Sequence, residues 1–177
     1  MKEKKVLLLF LVLCSCLSSS NDDHEKDLEH FSTFHPNGSV SWIGTKYLGK
    51  PHEKWFAFYE NGEKWLEYNY EFGVQNGEQF EYRNGRLFSI ENFVKGKREG
   101  WAKYYNVECS NLLSEGRYSK DKQEGYWFEY YGKVISTVYL YKEDSLIKVI
   151  YKNPNHFEDF DSAPLPPYND ECCCTVK

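Results

Sequence analysis

The sequence predicts an all-β protein, an elongated antiparallel meander of stacked β-hairpins with a signal peptide before it and a disordered tail after it. Three observations carry the prediction. Aromatic positions recur: Tyr47, Tyr70, Phe93, Tyr118 and Tyr141 are spaced 23, 23, 25 and 23 residues apart, and Tyr59, Tyr82, Tyr105 and Tyr131 follow at 23, 23 and 26. Asn-Gly, the strongest short-range hairpin signal because a type I′ turn needs positive φ at both central residues, separates aromatic-rich runs at Asn37-Gly38, Asn61-Gly62 and Asn84-Gly85. Aromatics make up 18% of the 177 residues, and no helix-period stretch is found between 31 and 151.

In chain order, residues 1–15 read as a lipoprotein signal peptide. Lys2, Lys4 and Lys5 form a basic start, and Val6 to Leu13 is an apolar run of eight, too short to cross a bilayer as a helix. Leu13-Cys14-Ser15-Cys16 resembles a bacterial lipobox, which implies cleavage before Cys16 and acylation there. Cutting at that point removes three lysines and one glutamate, leaving 19 bases against 26 acids. Leu17 follows the cysteine, so the aspartate of inner-membrane retention is missing, and the expected address is the outer membrane, periplasmic or surface-exposed. Residues 16–30, with Asp22, Asp23, Glu25, Asp27 and Glu29 against Lys26, read as an acidic solvated tether.

Residues 31–151 form the repeat array. Each period holds two turns, one Asn-Gly-like and one marked by Lys50, Gly73, Gly96, Asp121 or Asp144, and therefore two strands. The predicted strands are 31–35, 39–47, 54–59, 63–70, 77–82, 86–93, 100–105, 112–118, 125–131, 133–141 and 146–151. Gly77, Gly100 and Gly125 start strands on this reading. The extra residue in Gly125-Tyr126-Trp127, against Gly100-Trp101, suggests a bulge. Asn106 to Asn111 is a longer loop. One hairpin is marginal in water, so stability comes from stacking, with cross-strand ring pairs contributing roughly 0.2–1 kcal/mol each. Residues 152–177, with four prolines and five acids, read as an extended tail.

Gly100-Trp101-Ala102-Lys103-Tyr104-Tyr105 and Glu124-Gly125-Tyr126-Trp127-Phe128-Glu129-Tyr130-Tyr131-Gly132-Lys133 resemble MORN repeats, in their bacterial variant form, over about 31 to 151. The resemblance implies a meander of stacked hairpins with no catalytic motif to carry over. Some bacterial members are labelled antitoxins of toxin–antitoxin pairs, which makes an antitoxin or immunity role one expectation here.

For function, the excess of 27 acids over 22 bases argues against nucleic acid as a partner. No Gly-x-Ser-x-Gly, Walker loop, His-Glu-x-x-His or Gly-x-Gly-x-x-Gly occurs, and no cofactor, metal or enzymatic activity is expected. Trp55, Tyr59, Tyr82, Trp101, Tyr105, Trp127 and Tyr131 fall at corresponding repeat positions and are predicted to line one face, either packing the sheet or gripping a partner. The expected function is a lipid-anchored, non-enzymatic surface for a protein partner, with glycan binding through the aromatic face as the alternative. Cys109 could form a disulfide with Cys172, Cys173 or Cys174, although three adjacent cysteines lack metal-site spacing and pair with each other only under strain.

Overall fold

The computed structural model describes residues 27–154. Cys16, the signal peptide, most of the tether, the tail beyond Pro154 and Cys172, Cys173 and Cys174 lie outside the described residues. Twelve strands follow in order: β1 (Leu28–Phe34), β2 (Val40–Tyr47), β3 (Lys50–Phe58), β4 (Lys64–Glu71), β5 (Val74–Gln75), β6 (Gly77–Arg83), β7 (Arg86–Val94), β8 (Lys97–Tyr105), β9 (Leu112–Ser119), β10 (Lys122–Tyr131), β11 (Val134–Lys142) and β12 (Ser145–Lys152). All belong to one sheet whose spatial order is the chain order, every pairing antiparallel, with the two-residue β5 set aside against β4. The meander of stacked hairpins is therefore the fold. The first strand begins at Leu28, so three residues assigned to the tether belong to the sheet.

The turns differ from expectation in an instructive way. The two-residue turns with positive φ at both positions are mostly the other set: Leu48-Gly49, Phe72-Gly73, Lys95-Gly96, Lys120-Asp121 and Glu143-Asp144. The first of these lies before Lys50, the residue expected to mark it. Of the Asn-Gly pairs, only Asn84-Gly85 has both φ values positive, at 52° and 68°. At Asn37-Gly38 and Asn61-Gly62 only the glycine is left-handed, and the loop has one residue more. There the asparagine side chain closes the turn, Ser39 N donating to Asn37 Oδ1 at 2.9 Å and Glu63 N to Asn61 Oδ1 at 3.0 Å.

Consecutive hairpins are stapled at the two-residue turns. Gly73 N donates to Pro51 O, Gly96 N to Gln75 O, Asp121 N to Arg98 O and Asp144 N to Gln123 O, at 2.7–3.1 Å. Where aspartate replaces glycine, its carboxylate accepts a return bond: Arg98 N reaches Asp121 Oδ1 at 2.8 Å, and Gln123 N reaches Asp144 Oδ1 at 2.6 Å.

Gly77, Gly100 and Gly125 lie inside or at the head of strands and mark bulges. The residues at this point of the repeat are Glu53, Gly77, Gly100 and Gly125, all at positive φ. Around three of them the register advances four residues on the bulged strand and two on its partner: His52 to Phe56, Arg98 to Ala102 and Glu124 to Phe128. The bulge expected at 125–127 is present, as one instance of a repeated device. A second bulge recurs in the returning strands, leaving Ser41, Trp65, Phe88, Leu113 and Ser136 as extra residues.

Register also defines two faces. One row runs Trp42, Ala57, Leu66, Glu81, Ser89, Tyr104, Ser114, Glu129 and Thr137, each opposite the next; we call this the front. The back row runs Ile43, Phe56, Glu67, Phe80, Ile90, Lys103, Glu115, Phe128 and Val138. Among the described residues only Trp55, Ala57, Leu66, Ala102 and Trp127 are buried hydrophobics, because a single layer has no interior.

Candidate functional site

Two tryptophans hold the front together and are themselves largely buried. Trp55 lies flat on Gly44 and Trp127 on Gly116; an added Cβ on either glycine would meet the indole at 2.2 Å. Each indole N–H is used, Trp55 Nε1 donating to Thr45 O at 2.9 Å and Trp127 Nε1 to Arg117 O at 3.2 Å. The two sets are offset by 72 residues, three full repeats. In between, size is exchanged across the strand pair, with small Ala102 opposite Glu91. The space is then filled by Tyr104, whose hydroxyl donates to Glu91 Oε1 at 2.7 Å and contacts the Tyr118 hydroxyl at 3.2 Å. Burial, with help from both neighbours, pushes the Tyr104 phenol far above its ordinary value. Arg98 joins this network, 3.5 Å from Glu91 and 4.0 Å above the Tyr118 ring.

The seven predicted ring positions do not form one face. Trp101 is opposite Arg117 and is the neighbour of front-facing Ala102, so it points to the back, where it is 50% exposed. Counted from the glycine, Trp127 is the second residue and Trp101 the first; alternation in a strand sends them to opposite sides. Tyr82 and Tyr105 share a repeat position with Phe58 and Tyr130 and follow the register to the back. Lys64 lies over both the Tyr82 and Phe56 rings, and Tyr130 bonds Glu115 of the back row at 2.7 Å. Tyr130 is pushed up to about 12 by burial and by that carboxylate. Tyr59 and Tyr131 fall one residue later, beside the turns; Tyr59 packs on Trp65 and donates to Tyr82 O at 3.2 Å.

The back carries the cluster that matters for binding. Trp101 on β8, Arg117 on β9 and Tyr126 on β10 sit on three neighbouring strands. Tyr126 is opposite Leu140 and is 53% exposed; Arg117 is exposed as well. The Trp101 indole N–H, the Tyr126 hydroxyl and the Arg117 guanidinium have no hydrogen-bond partner among the described residues. Two strand spacings separate the backbones of β8 and β10 by about 10 Å. Arg117 is held from beneath, because Trp127 on the front binds its carbonyl. Repeat position pointed to Trp101 but missed Arg117 and Tyr126; the legible signal was that Trp101 and Tyr126 both directly follow a bulge glycine.

Several other back-face charges pair with one another. Glu67 accepts from Lys54 Nζ at 2.9 Å and Lys64 Nζ at 3.3 Å, and Lys103 lies 3.6 Å from Glu115. Burial works to raise the Glu67 carboxyl, but the two lysines together leave it below the usual carboxylate range. Cys109 sits half-buried in the 106–111 loop, with no disulfide among the described residues; its candidate partners lie outside them. No protein-family model matches the chain, and a search of characterised proteins finds no similar sequence.

Proposed function

We propose that the protein is a non-enzymatic binding module of the bacterial cell envelope, lipid-anchored through Cys16, whose back face engages a protein partner. The observation that carries this reading is the exposed Trp101–Arg117–Tyr126 cluster. Trp, Tyr and Arg are the residue types enriched among interface hot spots, where truncation costs about 2 kcal/mol or more. Here their polar groups are unspent, and a continuous antiparallel sheet holds them in place, which lowers the ordering cost of binding. The MORN-variant resemblance supports a scaffold role; a toxin is a candidate partner on that resemblance alone.

The test is affinity capture from envelope extract with the wild type and with Trp101→Ala/Tyr126→Ala. Both side chains are about half exposed, so the variant is expected to melt like the wild type and to lose its specific partner. A partner retained at wild-type yield by the folded variant would refute the back-face assignment. For the anchor, a fatty-acid probe is expected to label the wild type and leave Cys16→Ser unlabelled; equal labelling would exclude Cys16.

A second reading, glycan binding, is favoured by two half-exposed rings on one face, two strands apart. It requires saturable retention on polysaccharide that the same double variant loses. Trp127 has no part in that test, since it lies on the opposite face.

A further inference from the structure

The front face holds a separate concavity over Trp127. Its volume is about 200 Å³, and Tyr118, Tyr139, Tyr141, Ser114, Gln123 and Glu129 are among its lining residues. The floor is rigid, because Trp127 rests on Gly116 and its indole N–H is bonded. Tyr118 and Tyr141 stand on edge against it, each at 78° to the indole, with centroids 5.1 and 6.5 Å away.

The chemistry of the lining is one-sided. No lysine, arginine or histidine contributes to it. Its one carboxylate, Glu129, receives the Tyr139 hydroxyl on Oε2 at 3.0 Å, and Oε1 has no bond among the described residues. Burial first, and then this contact with Glu129, raises the Tyr139 phenol. Arg98 caps Tyr118 but is engaged with Glu91 and Asp121. Lys152 lies two strands from Glu129 in the same row and does not line the groove. Ser114, directly opposite Glu129, and Gln123 add further acceptors beside the carboxylate.

A pocket for a whole small-molecule ligand measures about 300–1,000 Å³. This one has room for a single side chain. We propose that the groove over Trp127 is a second binding site, independent of the back face, that takes a lysine or arginine side chain, its cationic head on Glu129 and its stem between Tyr118 and Tyr141. The rings contribute through their negative faces and the carboxylate through a charge-assisted hydrogen bond.

The test is a titration of the full-length, ¹⁵N-tryptophan-labelled protein with Nα-acetyl-lysine methylamide and, separately, its arginine counterpart. The indole signals of Trp127 and Trp101 are assigned from Trp127→Phe and Trp101→Phe. Saturable shifts of Trp127 with either cation, with Trp101 unmoved, are expected; whichever binds tighter names the preferred head group. Nε-acetylation of the lysine probe, which removes the charge, is expected to abolish the shifts. Glu129→Gln is expected to weaken binding at least about tenfold, and added salt to weaken it in the wild type. No shift of Trp127 up to the solubility of the probe, equal shifts with the acetylated probe, or unchanged binding by a folded Glu129→Gln protein would each overturn the proposal. The wild-type salt dependence and the acetylated probe keep the test decisive should Glu129→Gln misfold.

Discussion

At the scale of single residues, the sheet depends on two places where glycine and tryptophan fit each other. Gly116 has an ordinary strand conformation, so its role is the space it leaves and not a turn it makes. Gly116→Ala must displace the Trp127 ring and is expected to cost about 1–3 kcal/mol. Trp127→Ala is expected to cost about 3–5 kcal/mol. In the Trp127→Ala background the alanine at 116 should cost almost nothing, a coupling that a double-mutant cycle in urea measures directly. Additive effects would mean that the two residues do not touch. Glu67 offers a test with a sign. Its folded pKa lies below the unfolded one, so its contribution is present above the unfolded value and lost as pH falls through the folded value. Glu67→Gln should therefore cost about 0.5–1 kcal/mol at neutral pH. Its melting curve should converge on that of the wild type as pH falls from the unfolded carboxylate value of about 4.3 through the lower folded one. A gap that stays constant or widens in acid would contradict the pairing with Lys54 and Lys64.

At the scale of the strand and hairpin, much was legible in advance. The period, the two turns per repeat and the strand locations follow from spaced rings and Asn-Gly pairs, signals that act locally. What was not legible is parity. Trp101 and Trp127 look equivalent because each follows a glycine closely, yet the difference of one residue reverses the face. The turns misled for a related reason. Leu48, Phe72, Lys95, Lys120 and Glu143 all adopt positive φ although composition marks none of them as a turn former. They do so because staples such as Gly73 N to Pro51 O and Asp121 N to Arg98 O fix the turn from outside. Glu53 shows the same override at a bulge: its φ is 60°, where the other repeats have Gly77, Gly100 and Gly125. Left-handed backbone costs a non-glycine residue roughly 1–2 kcal/mol. Glycine is less favoured in the folded chain by about 0.5–1 kcal/mol for entropy. Glu53→Gly is thus expected to raise stability by up to about 1 kcal/mol in urea denaturation. A loss of stability would show that the glutamate side chain holds the bulge.

At the scale of the whole molecule, each strand pairs only with its neighbours along the chain, apart from the short β5. Both faces of the sheet therefore remain open, and each presents its own chemistry. On the front, Trp55, Trp127 and the tyrosine network pack against the sheet and leave a groove beside Glu129. The back offers Trp101, Arg117 and Tyr126 on adjacent strands, beside the Lys103–Glu115 pair. An array of this kind adds binding surface without adding an interior, which accounts for the aromatic richness in structural terms before any partner is invoked. The most direct test of the binding role is site-specific photo-crosslinking in the native envelope, with a photoreactive phenylalanine placed in turn at Trp101, at Tyr126 and, as a control, at exposed Lys133. The expected result is the same discrete protein adduct from positions 101 and 126 and none from 133. Equal adducts from all three positions, or none from 101 and 126 in a correctly folded protein, would contradict it.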